Sequence, residues 1–429
     1  MRRAAAILAM LVAVVPVSRG EEGMVWEPAR ILTAEEVAAS GAFVPLPVPT
    51  TFDNFRYPFI QPDRSVIFIA NDHLAPPDHR GRAGIYHIAL DGKVSALVSA
   101  GDPVSNAPGS LVGLDGLKMD GERMVFRANF GGAAWGIALW EKGKVSLLAP
   151  VAGPGALTGV GYPDISGDLV VFVAKDVSGE QKLYGVDLSS RDRQPHVLVA
   201  TGEPIPGMED LVFREFAYQQ MADGGSAVFR GFAGVRSRVR GIPFGGVYRK
   251  DATSDTKAVR ILDTTTPIPG GRPGETFSEL QNALPCNGTV VVPNHGPQRS
   301  GIYYAGAGGA VSVVADTATQ IPDLFEGSFT HFNKWVGNCA PWILFRGYAR
   351  NYAGVFALNV DTKALHLLID SRLELDGKEI RDFEIAVTPK VDDQVVVMVE
   401  FVDNSSAVYV LHFGDGRGQG IFRPAGDAR

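Results

Sequence analysis

The chain has 429 residues, with 50 Gly, 28 Pro and an apolar fraction of 45%, the composition of a turn-rich globular protein rather than a disordered segment, a collagen or a helical bundle. Its 40 basic and 47 acidic side chains leave a net charge of −7, which excludes the basic footprint that nucleic-acid binding requires.

At the amino terminus Arg2 and Arg3 precede an apolar run from Ala4 to Val15, closed by Pro16 and the small residues Ser18 and Gly20. This is the layout of a secretory signal, so residues 1–20 are expected to be removed and the protein to be secreted or periplasmic. Cleavage there removes Arg2, Arg3 and Arg19, leaving 37 basic against 47 acidic residues, a net −10. An uncleaved tether is the rival reading. No later stretch reaches the ~18 to 20 apolar residues of a spanning helix, so no permanent membrane span is expected.

From residue 51 to 420 one unit recurs seven times. Its first landmark is an apolar run, usually ending in Phe: Val66-Ile67-Phe68, Met124-Val125-Phe126, Val170-Val171-Phe172, Ala227-Val228-Phe229, Val290-Val291-Val292, Ile343-Leu344-Phe345 and Val396-Val397-Met398. Its second is a triplet of the Gly-Ile-Tyr kind: Gly84-Ile85-Tyr86, Gly136-Ile137-Ala138, Leu183-Tyr184-Gly185, Gly246-Val247-Tyr248, Gly301-Ile302-Tyr303, Gly354-Val355-Phe356 and Ala407-Val408-Tyr409. With the segment before the first landmark and the apolar run after the second, each unit holds four short strands and no helical periodicity. Twisted sheets that are apolar on both faces bury them by stacking in a closed ring, so the expected fold is all-β, a seven-bladed β-propeller with four-stranded blades.

The seventh unit runs into Gly414-Asp415-Gly416 without a good fourth strand. The segment Ala29-Arg30-Ile31-Leu32-Thr33, inside the N-terminal stretch 21–50, copies the fourth-strand text Val259-Arg260-Ile261-Leu262-Asp263. It is therefore expected to pair with the last blade and close the ring. Residues 421–429 form a short polar tail.

The turns Asp223-Gly224-Gly225-Ser226-Ala227-Val228-Phe229, Asp120-Gly121-Glu122-Arg123-Met124-Val125-Phe126 and Ser166-Gly167-Asp168-Leu169-Val170-Val171-Phe172 resemble the repeats of secreted bacterial proteins of the Asn-x-x-Gly-x-x-Ala-Phe type. The resemblance implies a propeller and export, and it carries no activity. Several members of that family have a carboxy-terminal sorting anchor, whereas the tail here favours a free protein.

Cys286 and Cys339 each precede a landmark by six residues, in neighbouring units. Equivalent positions approach one another only near the ring axis, so a disulfide between them is one reading and two unlinked thiols the other. The eight histidines lack zinc spacing, and Asp72, His73, Asp78 and His79 read as a solvated loop; no metal or cofactor is expected. Asp263, Asp316 and Asp370 close three fourth strands and read as turn caps.

Arginines supply the candidate site. Arg127, Arg230 and Arg346 directly follow the landmark in the second, fourth and sixth units. The loops beyond the landmarks add Arg80, Arg82, Arg236, Arg238, Arg240, Arg299 and Arg350, with Tyr348 and Tyr352 among the interleaved aromatics. Loops joining second to third strands share one face of a propeller, so these groups are expected to form a positive face suited to a carboxylated or sulfated ligand. The alternative is that the strand-end arginines pair with carboxylates of the blade edges. The functional expectation is an exported, non-catalytic binding module, whose partner is an acidic glycan or an envelope protein. A glycan hydrolase or lyase on the same face is the alternative, and a protein-binding scaffold a third reading. The sequons at Asn287 and Asn404 matter only in a glycosylating host.

Overall fold

The computed structural model describes residues 28–33 and 52–412, apart from 62, 64, 73–83, 90–92, 133, 150, 152–154, 235–243, 287–288, 297–298, 307–308, 322–326, 338–341, 351, 373, 376 and 386–393. The expected signal segment and polar tail, the loops bearing Arg80, Arg82, Arg236, Arg238 and Arg240, and Cys339 lie outside the described residues. The proposed bridge to Cys286, which is buried at the end of its strand, therefore lies outside them as well.

Seven antiparallel sheets follow one another along the chain, and each is a blade. In order from the axis outward, blade 1 is Phe52–Ile60, Val66–Asp72, Gly84–Ile88 and Val94–Ser99. Blade 2 is Gly113–Asp120, Arg123–Asn129, Trp135–Glu141 and Lys144–Leu147, and blade 3 is Asp164–Ser166, Leu169–Lys175, Gln181–Asp187 and His196–Ala200. Blade 4 splits its inner strand into Glu215–Phe216 and Met221–Asp223, followed by Ser226–Phe232, Gly245–Asp251 and Val259–Asp263. Blade 5 is Leu284–Cys286, Thr289–His295, Ser300–Ala305 and Val311–Asp316; blade 6 is His331–Gly337, Trp342–Ala349, Tyr352–Asn359 and Leu365–Asp370. Blade 7 takes Lys378–Ile385, Gln394–Phe401 and Ser406–His412 from the end of the chain and Pro28–Thr33 from its beginning. The fold is the expected all-β, seven-bladed propeller.

The repeated text has a direct packing cause. In five blades the last landmark residue faces the last residue of the Gly-Ile-Tyr triplet across the strand pair, as Phe68 faces Tyr86, Phe229 faces Tyr248 and Val292 faces Tyr303, and in blades 3 and 7 it faces the middle one, Tyr184 and Val408. The paired rings lie 5.6 to 5.9 Å apart, as in Phe229–Tyr248 and Phe68–Tyr86, and are almost wholly buried. Such a ring contributes about 1.5–3 kcal/mol by burial, and cross-strand pairing adds to it. The triplet glycine has a reason too: a Cβ on Gly84 would stand 2.4 Å from the Tyr86 hydroxyl, so the tyrosine folds back over a residue that has no side chain. Apolar clusters then fill the gaps between consecutive blades, from Phe59, Ile69 and Phe126 between blades 1 and 2 to Val355, Phe383 and Val399 between blades 6 and 7.

Outer strands end on the three aspartates, which act as turn caps. Asp263 Oδ1 accepts from the Thr265 backbone N–H at 2.8 Å, Asp316 Oδ1 from Ala318 at 2.9 Å and Asp370 Oδ1 from Arg372 at 2.8 Å. Each also holds an arginine, Arg260, Arg299 or Arg372, at 2.7 to 3.0 Å.

The ring closes as expected. Ala29 pairs with Val410, Arg30 with Tyr409, Leu32 with Val408 and Thr33 with Ala407. Replacing Leu32 with Pro removes one donor from this ladder and inserts a rigid φ. At ~1 kcal/mol per lost hydrogen bond plus ring strain, the variant is expected to lose a few kcal/mol of stability. Amide exchange should accelerate first in Ser406–His412; unchanged protection there would contradict closure by this strand.

Candidate functional site

Strand register defines the axis. The inner-strand residues opposite the middle residue of each landmark are Phe59, Lys118, Asp164, Met221, Leu284, Gly337 and Ile385. Two residues earlier stand Tyr57, Gly116, Tyr162, Gln219, Asn282, Trp335 and Phe383. Members of these two rings line a cavity of about 60 Å³ that draws on the inner strands of six blades. A second cavity of about 300 Å³, lined by Asn333, Arg346, Asp382, Phe383, Glu384, Ile385 and Glu400, shares Glu384 and Ile385 with the first.

The three strand-end arginines converge on this axis, and each reaches the same place on the following blade. Arg127 of blade 2 lies 4.9 Å from the Tyr162 ring and 4.6 Å from the Trp135 ring, with Asp115 at 3.9 Å. Arg230 of blade 4 donates to the Leu280 carbonyl at 2.7 Å and to Asn282 Oδ1 at 2.8 Å. Arg346 of blade 6 donates to Asp382 at 2.9 Å and to the Phe383 carbonyl. Tyr162, Asn282 and Phe383 occupy equivalent positions, so arginines from even blades clasp the inner strands of odd ones. Bidentate and stacked geometry of this kind is what a guanidinium supplies and an ammonium does not. Asn282 in turn donates to Gln219 Oε1, which carries the Arg230 clasp back to blade 4.

The other arginine and tyrosine candidates are spread more widely. Arg299 pairs with Asp316 at 3.0 Å. Arg350 is exposed at the hairpin of blade 6. Tyr348 stacks on His331 with centroids 4.0 Å apart and lies 5.2 Å from Arg346, whereas Tyr352 lies against Arg372. Burial first, then His295 and Arg346, holds the His331 imidazole below its usual value.

Sequence reasoning did not single out the channel residues. The Asp115 carboxylate acts electrostatically on both Tyr57 and Tyr162 and stands 3.9 Å from Arg56. Burial, and then this carboxylate, pushes both phenols up, so they stay protonated donors. Gly116, between the two tyrosines in the ring, has a φ of 67°, and a Cβ there would meet the Tyr162 ring at 2.3 Å. Tyr57 itself has a φ of 50° within a bulge of its strand, a strained conformation for a residue with a side chain. Glu384 and Asp382 are both raised, chiefly by burial and against the pull of Arg346. Asp382 faces Glu400 directly across the strand pair, a like-charge placement that Arg346 and Arg381 offset. Among the described residues no group of three or more His, Cys, Asp or Glu is placed to hold a metal ion.

No protein-family model matches the chain, and no curated protein matches it. Solved structures do. An oligogalacturonate lyase from Vibrio parahaemolyticus is 13% identical, with 91% of this chain and 97% of that one covered at a TM-score of 0.51. The β-propeller domain of the Trilobed protease from Pyrococcus furiosus, described as having an open velcro topology, is 10% identical over 87% and 96% of the two chains, with a TM-score of 0.52. An acylaminoacyl peptidase from Pyrococcus horikoshii is 10% identical over 87% of this chain and 53% of that one, at 0.53. At these identities the likeness is one of fold. Among the described residues no helix is long and apolar enough to cross a membrane.

Asp164 gives the axis a pH signature. Burial pushes its carboxyl from 3.8 up to about 6, with Lys118 and the Ala222 N–H pulling the other way. Between those values the folded state holds the proton that the unfolded state has released, so stability falls as pH rises through this window. Asn at this position does not titrate. The stability of the wild type relative to Asp164→Asn is therefore expected to fall by on the order of 3 kcal/mol between about pH 4 and pH 7, at ~1.4 kcal/mol per unit. Urea midpoints of the two proteins measure it, and a difference independent of pH would contradict the burial of a titrating Asp164.

Proposed function

We propose that the protein is an exported, non-catalytic binding module that takes a short acidic glycan at the axial mouth of the propeller. The single observation that carries this reading is the convergence of Tyr57, Tyr162, Gln219, Gln220 and Asn282 from four blades on one cavity. Rings that offer apolar surface, with amides that offer donors and acceptors at fixed positions, are the usual furniture of a pocket for a polar small ligand. The acidic class follows from arginine: Arg127 beside Tyr162, and, in the sequence of the loops, Arg80, Arg82, Arg236, Arg238, Arg240, Arg299 and Arg350. Arg230 contributes by fixing Asn282, one contact behind the proposed ligand. Export rests on the charged and apolar layout of residues 1–20.

A glycan hydrolase is the second reading, favoured by Asp382, Glu384 and Glu400 around the larger cavity, two of them raised toward the protonated form that a general acid needs. A glycan array followed by titration calorimetry tests the first. Binding to uronate-bearing chains is expected, weakened about tenfold or more by Tyr162→Ala and by the triple variant Arg236→Ala, Arg238→Ala, Arg240→Ala, as loss of stacking or of charge-assisted contacts implies. No signal on any glycan would remove the reading, and shortened products in the same incubations would replace it with the hydrolase.

A further inference from the structure

The ring of inner-strand positions that contains Phe59, Met221, Leu284, Gly337 and Ile385 is interrupted on adjacent blades by one cation, Lys118, and one anion, Asp164. The two are treated differently by their surroundings. Asp164 accepts the Ala222 N–H at 2.8 Å and sits behind the wall, almost fully buried. Lys118 lines the cavity, and among the described residues no side chain accepts a hydrogen bond from it or lies within ion-pair distance; Asp164 acts on it only at longer range. Desolvation without a close partner lowers its basicity.

The same cavity holds an orphaned acceptor. Gln220 is 3% exposed, and its amide nitrogen donates to the Tyr162 carbonyl at 2.7 Å and the Tyr218 carbonyl at 3.5 Å, which fixes the amide's orientation. Its Oε1 is left buried with no donor. Buried polar atoms are nearly always satisfied, so an unsatisfied one on a residue that lines a cavity marks where a small shift of the amide would meet a ligand or water group. At about 60 Å³ the cavity admits the end group of a ligand rather than a chain threading the ring.

Resting on the glycan reading above, we propose that a terminal uronate enters the channel end-on, its carboxylate accepting from Lys118 and an adjacent hydroxyl donating to Gln220 Oε1. A single negative charge matches the single cation. A dianionic phosphate is disfavoured, because Glu384 lines the same cavity and Asp164 stands behind it. The acid group is thus recognised at the axis, separately from the loop arginines.

The test compares a glucuronate-terminated disaccharide with its carboxyl-reduced counterpart by calorimetry on the full chain. The wild type is expected to prefer the uronate by about tenfold or more, the scale of one charge-assisted contact. Lys118→Met should bring the uronate affinity down to that of the neutral sugar, and Lys118→Arg should retain part of the preference. Should Lys118→Met not fold, acetic anhydride footprinting of the wild type reads the same contact: the uronate protects Lys118 from acetylation and the neutral sugar does not. Equal affinities, a preference that survives Lys118→Met, or equal acetylation with both sugars overturns the Lys118 seat and leaves the glycan reading standing. Binding of neither disaccharide to the wild type, with array signals for other acidic chains, also overturns the seat, whereas silence across the whole array removes the glycan reading itself.

Discussion

Everything in this molecule depends on the antiparallel pairing of Pro28–Thr33 with Ser406–His412. Blades of a propeller are flat-sided units with apolar faces, and each is satisfied only by two neighbours. The last blade has three strands from the end of the chain, so its outer edge is completed by the beginning. That one ladder converts a row of sheets into a ring. A ring is what brings residues as distant as Tyr57 and Glu384 to the walls of one cavity. It also sets where strain is tolerated, since the positive φ of Tyr57 lies in the inner strand of blade 1, whose neighbours across the closure are the strands of blade 7.

Within the ring, the inner strands are the weakest sheets and need support from outside their own blades. They are short in blades 3, 4 and 5, and bulged in blades 1, 2, 6 and 7. The arginine clasps answer this: a guanidinium at the end of a regular second strand reaches the irregular first strand of the next blade and holds its carbonyl, amide or ring. The same contacts shape the channel mouth, so the groups that stabilise the blade junctions also position Tyr162, Asn282 and Phe383 around the axis. Support of the blade junctions and shaping of the channel are therefore adjacent layers of one design, with Arg230 behind Asn282 and Arg346 lining the larger cavity.

The parts of this architecture that were legible in the sequence are those with a repeated physical cause. Phe landmarks and Gly-Ile-Tyr triplets recur because the cross-strand pair fills the same space in each blade, a ring pair in blades 1, 3, 4 and 6, and the fourth-strand text of Ala29 to Thr33 was readable because a fourth strand needs the same pattern wherever it comes from. The aspartates at 263, 316 and 370 were readable as caps for the same reason. Arginines after the landmark were visible, but their partners were not, because the clasp target is a tyrosine in one blade, an asparagine in another and a backbone carbonyl in a third. The channel itself was illegible. Lys118 and Asp164 each stand eight residues before the Phe of their repeat, so the shared register puts them at one level, but nothing in the text shows that this level faces a cavity on the axis.

The inner strands of the closed ring are proposed to converge on one axial seat for an acidic sugar. A crystal structure of the protein soaked with a glucuronate-terminated disaccharide tests it most directly. The terminal carboxylate is expected within hydrogen-bond distance of Lys118 and a hydroxyl against Gln220 Oε1, with the second sugar toward the mouth. Density for the sugar confined to the outer loops, with the axial cavity filled only by water, would contradict it.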